Sequence, residues 1–162
     1  MEYNLQTIAS LTRYVIMTTN ISILFLILTG WLSNHFENSN SSEVKMVIEI
    51  ENIKHINGQP ILIAVDKRDN FLKNGIPFRN ATVDASGSRL EYTFQVPPGD
   101  YAVSIYQDVN KNGKMDKNLF GAPSEPYAFS RNYKPTFRAP KFDEVKINMN
   151  GDRKINISLI QP

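Results

Sequence analysis

Leu90-Glu91-Tyr92-Thr93-Phe94-Gln95-Val96-Pro97-Pro98-Gly99-Asp100-Tyr101-Ala102-Val103-Ser104-Ile105-Tyr106 is the stretch on which the fold turns. Leu90, Tyr92, Phe94 and Val96 alternate with Glu91, Thr93 and Gln95, the period of a strand with one buried face. Pro97-Pro98-Gly99-Asp100 interrupts the pattern as a turn, and Tyr101, Val103 and Ile105 return on a single face. Towards the N-terminus, Val44, Met46, Ile48 and Ile50 show the same alternation against Lys45, Glu49 and Glu51. Pro60 to Val65 is short and continuously apolar, entered through the turn pair Asn57-Gly58. Towards the C-terminus come Val145, Ile147 and Met149, a turn at Asn150-Gly151-Asp152, then Ile155, Ile157 and Leu159. After residue 43 no helix of ordinary length is spelled out. Only Arg68 to Lys73, capped by Asp69 and stopped by Asn74-Gly75, suits one helical turn. About seven short strands separated by turn signals predict an all-β domain, a single antiparallel β-sandwich. Its expected core is Ile48, Ile63, Phe94, Val103, Ile105, Ile147 and Ile157.

Ahead of this domain the chain changes character. Tyr14 to Leu32 is mostly apolar, densest from Ile21 to Leu28. Such a run suits the core of a signal peptide, and its full extent is long enough for a membrane-spanning helix. Arg13 precedes it and no cation follows until Lys45, a bias that leaves the N-terminus inside and the remainder outside. The expected organisation is a signal peptide or membrane-anchoring helix over 1–32, a Ser/Asn-rich flexible linker over 33–42 and the β-sandwich over 43–162. The domain is therefore expected outside the cytoplasm, touching the membrane through residues 14–32 if that segment is not cleaved.

Composition narrows the chemistry. The chain has 18 basic and 16 acidic residues, a net charge of +2, with the charges interspersed, which gives no footing to nucleic-acid binding. Without cysteine there is no disulfide framework, thiolate metal site or thiol nucleophile. His35 and His55 are far apart and form no metal-ligand cluster. The serines lack a nucleophile-elbow context, and Asp143-Glu144 suits a strand entry as readily as acid–base work.

Three segments and a fourth downstream carry a resemblance. They are Val96-Pro97-Pro98-Gly99-Asp100-Tyr101-Ala102-Val103, Tyr106 to Asp116, Phe120-Gly121-Ala122-Pro123-Ser124-Glu125-Pro126-Tyr127-Ala128-Phe129-Ser130, and Pro140-Lys141-Phe142-Asp143-Glu144. In order and spacing they resemble the exported bacterial proteins grouped as domain of unknown function 2141, from about Val44 to Leu159. The resemblance implies an export signal followed by one β-sandwich of transthyretin or immunoglobulin type, and it implies no activity. Where that family commonly has a glycine before the tyrosine of the third segment, this chain has Pro126.

Asp108, Asn110, Asn112, Gly113 and Asp116 follow the spacing of a calcium loop. Oxygen ligands stand at the first, third, fifth and ninth positions, glycine at the sixth, and Lys114 offers its carbonyl at the seventh. A hard cation gathers many oxygens, and alternate residues of a tight loop converge on one point. The twelfth position, normally a bidentate acid, is Leu119, so Glu125, Asp100 or Asp66 would have to supply that carboxylate. The competing reading is a plain hairpin turning at Asn112-Gly113. Further on, Tyr127, Phe129, Tyr133, Phe137 and Phe142 interleave with Arg131, Lys134, Arg138 and Lys141, with Pro135 and Pro140 breaking any strand. These residues can stack on sugars or engage acidic polymers, or they can pin a long loop to the domain. Taken together, the sequence predicts a non-catalytic envelope module that binds a polysaccharide or protein and carries a weak Ca2+ loop. The alternatives are a metal-assisted hydrolase using Asp108, Asp116 or Glu125, and an anchored spacer.

Overall fold

The alternating segments become strands in the computed structural model, which describes residues 42–73 and 76–162. Among the described residues, β1 is Val44–Glu51, β2 Pro60–Asp66, β3 Arg79–Asp84, β4 Leu90–Val96 and β5 Gly99–Gln107. After a long loop follow β6 Tyr127–Phe129, β7 Ile147–Met149 and β8 Arg153–Ser158. The described residues are all-β, in two sheets. One has the order β4-β1-β8; in the other, β3-β2-β5-β6, the start of β5 also pairs with β7. The apolar N-terminal segment, most of the linker and the Asn74-Gly75 stop lie outside the described residues. Among those that are described, no helix is long and apolar enough to cross a membrane.

Every strand in the core contributes by its period-two pattern. Met46, Ile48 and Ile50 from β1 meet Ile61, Ile63 and Val65 from β2 and Tyr101, Val103 and Ile105 from β5 in one cluster fed by both sheets. All seven residues expected in the core are buried. Tyr101 is wholly enclosed, and its hydroxyl donates to the Pro97 carbonyl at 2.7 Å, which satisfies its polar end at the turn.

Three features depart from the expected arrangement. First, β1 and β8 run parallel, Met46 opposite Arg153 and Ile50 opposite Ile157, so the strands are not all antiparallel. Strands from opposite ends of a domain need no short link, and parallel pairing requires such a distant connection. Second, the turn at Asn150-Gly151-Asp152 joins no hairpin, because β7 pairs with β5 while β8 pairs with β1. It carries the chain from one sheet to the other, pinned where Asp152 accepts the Lys45 N–H at 2.8 Å. Third, Val145 ends a helical turn, Phe142–Val145, instead of starting a strand. The Glu144 carboxylate accepts the Lys141 N–H at 2.6 Å and closes the first turn. Arg68 to Lys73, in keeping with the sequence, winds through a single turn, with the Phe71 N–H bonded to the Lys67 carbonyl at 3.1 Å.

The outer face of the five-stranded sheet is only partly covered. Phe71, Phe129 and Phe142 meet edge to face over Ala102, with Phe71 centred 6.4 Å from Phe129 and 6.0 Å from Phe142. Arg68 holds Asp143 through two bonds of 2.6 Å, and that contact keeps the Asp143 carboxyl well below the usual carboxylate range. Beneath this cluster Ser130 is fully buried, accepting the Val103 N–H at 3.0 Å and donating to the Val145 carbonyl at 2.6 Å. Ser130→Ala removes both partners and should cost on the order of 1 to 2 kcal/mol in urea unfolding. A variant as stable as the parent would mean that these backbone groups find other partners.

Candidate functional site

β5 and β6 are neighbouring antiparallel strands, with Ser104 opposite Phe129 and Tyr106 opposite Tyr127. The chain between them makes a long excursion from Asp108 to Pro126. Its base is stitched to the sheet by Gln107 N–H to the Pro126 carbonyl and Asp108 N–H to the Pro60 carbonyl, both 2.8 Å. The plain hairpin turn at Asn112-Gly113 is therefore not what connects these strands. Such a turn needs left-handed backbone at both residues, whereas here Lys111 (φ 60) and Gly113 (φ 80) are the left-handed pair.

The loop is organised by its acids. Asp108, only 2% exposed, accepts the Asn112 N–H at 3.0 Å on one oxygen and the Gly113 N–H at 2.7 Å on the other. Asn110 and Asn112 both direct their amide nitrogens to one oxygen of Asp116, at 2.6 and 2.8 Å. Glu125, also buried, accepts the Val109 N–H at 2.8 Å and the Asp116 N–H at 3.1 Å. Asp108, Asn110, Asn112, Asp116 and Glu125 thus belong to one hydrogen-bonded unit. Lys114 enters it through its backbone N–H, which donates to the Asn112 side-chain oxygen at 3.0 Å. Burial, helped by the charges of Asp108 and Glu125, pushes the Tyr106 hydroxyl above its ordinary range.

Of the three acids proposed for the missing carboxylate, Glu125 is the one that reaches the loop. Asp100 is engaged by Asn148 and Lys146, and Asp66 accepts the Phe78 N–H. Leu119, at the twelfth position, is fully exposed. Among the described residues, no three His, Cys, Asp or Glu side chains are gathered tightly enough to hold a metal by themselves, so any cation site here needs the asparagine oxygens as well.

Between Asp116 and Glu125 the loop makes a second, smaller excursion. Ser124 N–H bonds to the Asp116 carbonyl at 2.9 Å, and Lys117 pairs with Pro123. Asn118 shapes the tip, its side-chain oxygen accepting the N–H groups of Phe120 at 3.0 Å and Ala122 at 3.1 Å. This tip forms one wall of an open cleft of about 820 Å³ on the outer face of the five-stranded sheet. Its floor is two cross-strand rows in register, Thr82-Leu62-Tyr106-Tyr127 and Asn80-Ala64-Ser104-Phe129. The run Pro60–Val65 is apolar on both faces for that reason: Ile61, Ile63 and Val65 enter the core while Leu62 and Ala64 pave the cleft.

The basic, aromatic stretch divides. Tyr127, Phe129 and Arg138 border the cleft, whereas Arg131, Tyr133 and Lys134 do not. Phe129 is buried and Tyr133 packs beside it, so both mainly pin the segment. Arg138 is held in a fork by Glu144 at 2.8 and 2.7 Å, which lowers the Glu144 carboxyl to about 2. Phe137, a member of the same stretch, and Phe120, to which sequence reasoning gave no role, are almost wholly exposed on separate loops at the border of the cleft. Nothing in their local patterns distinguishes them; only the tertiary arrangement does.

No curated protein and no solved structure matches the chain. The family model described as "uncharacterized protein conserved in bacteria", domain of unknown function 2141, matches residues 48–157, from within β1 to within β8, and the chain belongs to that family.

Proposed function

We propose that this is a non-catalytic, extracytoplasmic binding module whose Asp108-to-Glu125 loop takes up a calcium ion weakly. In this reading residues 1–32 are a signal peptide or membrane anchor, residues 33–42 a linker, and residues 43–162 a β-sandwich of transthyretin or immunoglobulin type. The two sheets and their shared core support the sandwich. The apolar run after Arg13 supports export. The observation that carries the calcium reading is the convergence of Asp108, Asn110, Asn112, Asp116 and Glu125 in one bonded loop. A side-chain amide that turns over exchanges its N–H donor for its oxygen, so Asn110 and Asn112 can face either a carboxylate or a cation. Carboxylates that serve backbone N–H groups, with amides completing the set, favour weak affinity, in the roughly 0.1 to 1 mM range of extracellular modules. Asp108, Asp116 and Glu125 lie outside the lining of the cleft, which favours binding over metal-assisted hydrolysis.

Calcium at ten times its Kd should stabilise the folded state by about 1.4 kcal/mol, a rise in Tm of about 5 °C. The measurement compares melting in millimolar calcium with melting in chelator, for the parent and for Asp108→Asn. Superimposable curves for the parent would remove the calcium reading. A gap that survives in the variant would move the ion elsewhere.

A further inference from the structure

We propose that the cleft on the outer face of the five-stranded sheet binds an acidic oligosaccharide, one whose sugar rings carry carboxylates. The inference goes beyond the calcium loop and uses none of its carboxylates. Three properties of the cleft converge on this ligand. Its volume, about 820 Å³, is in the range of sites that enclose a ligand of several rings.

Its surfaces alternate in chemistry as a sugar does. The floor offers neutral hydrogen-bonding groups, Asn80, Thr82, Ser104 and the hydroxyls of Tyr106 and Tyr127, which match sugar hydroxyls. At the border stand Phe120 and Phe137, 94% and 99% exposed. Large aromatic side chains left in water are informative when they rim a concavity, and flat rings suit the C–H faces of pyranoses. Ala64 and Ser104, side by side in the register, keep the middle of the floor low between larger neighbours.

Its charge has one sign. Among the described residues, Lys117 and Arg138 are the only charged ones in the lining, and the acids nearest it, Glu144 on Arg138 and Asp108 and Glu125 behind Tyr106, lie outside it. Arg138 already shares its guanidinium with Glu144, which fixes its position and leaves Lys117 as the cation without an ion-pair partner among the described residues. A neutral sugar would leave that ammonium unanswered, whereas a carboxylate on the ring would meet it. An acidic peptide would satisfy the charges but not the aromatic border.

The test is calorimetric titration of the full chain with tri-galacturonate, with a neutral hexasaccharide of xylose and with a short poly-glutamate as comparators. The expected result is saturable binding of the uronate that weakens with salt and exceeds the neutral sugar by about tenfold or more. Phe120→Ala and Phe137→Ala should each weaken it several-fold, and Lys117→Gln should erase the preference over the neutral sugar. Because these side chains are exposed, their variants should melt with the parent, and a shared Tm separates lost binding from lost folding. No heat with the uronate overturns the proposal. So does equal binding of the neutral sugar, equal binding of poly-glutamate, or uronate binding untouched by both phenylalanine variants.

Discussion

Ile105→Ala is expected to destabilise the domain by roughly 2 to 5 kcal/mol, the cost of a buried isoleucine replaced by alanine. Ile105 lies in the middle of β5, 2% exposed, opposite Ile63 on one side and Ala128 on the other. Its side chain belongs to the cluster that receives Met46, Ile48 and Ile157 from the second sheet. Truncation opens a void that strand pairing on both flanks prevents from collapsing, because neither neighbour can shift without giving up ladder bonds. Urea unfolding monitored by far-UV circular dichroism reads the loss directly. A change below about 1 kcal/mol would show that the core yields easily at this point, against the close packing that protein interiors maintain.

Glu125→Ala should cost on the order of 2 to 4 kcal/mol, and the reason is local. Glu125 is buried, and its two oxygens serve the N–H groups of Val109 and Asp116, which stand at the two ends of the first loop. Hydrogen bonds to a carboxylate are stronger than neutral ones, and stranding two such donors costs more than the mean bond suggests. Glu125→Gln keeps one acceptor oxygen, so it should fall between parent and alanine. Amide hydrogen exchange at Val109 and Asp116 offers an independent reading: both should lose protection in Glu125→Ala while β1 and β4 keep theirs. Unchanged exchange at both amides would mean that the loop is held at its base by the sheet alone.

Legibility in the sequence followed the balance between local pattern and distant partners. β1, β4 and β5 were readable because their alternation is long and their inward residues are large and apolar. β3 was not, since Arg79-Asn80-Ala81-Thr82-Val83-Asp84 is an exposed edge strand whose weak alternation any loop could show. The three residues of β6 are strand only because β5 lies beside them. Parallel pairing of β8 with β1 is a choice between distant partners that no local spacing encodes. At the site, the loop's oxygen spacing was legible, but spacing alone left Glu125, Asp100 and Asp66 as alternatives for the outside carboxylate. The cleft was invisible, because its floor, tip and far border come from segments widely separated in the chain.

The clasp formed by Leu159, Ile160 and Gln161 has a kinetic meaning. β8 completes the flank of β1, and Ile160 then exchanges two backbone bonds with Tyr127, at 3.1 and 2.7 Å, closing the edge of β6 in the other sheet. Gln161 and Leu159 both bond to Asn52 just beyond β1. Contacts this remote in sequence are slow to form, since a long loop must close before any of them stabilises the chain. β1 is built from residues 44–51 and the strand that flanks it from residues 153–158, far along the chain. Until residues 153–160 arrive, both sheets keep a bare edge and the core stays open on that side. The order of strands thereby leaves the sealing of both edges to the contacts most remote in sequence, so these edges are expected to close late in folding.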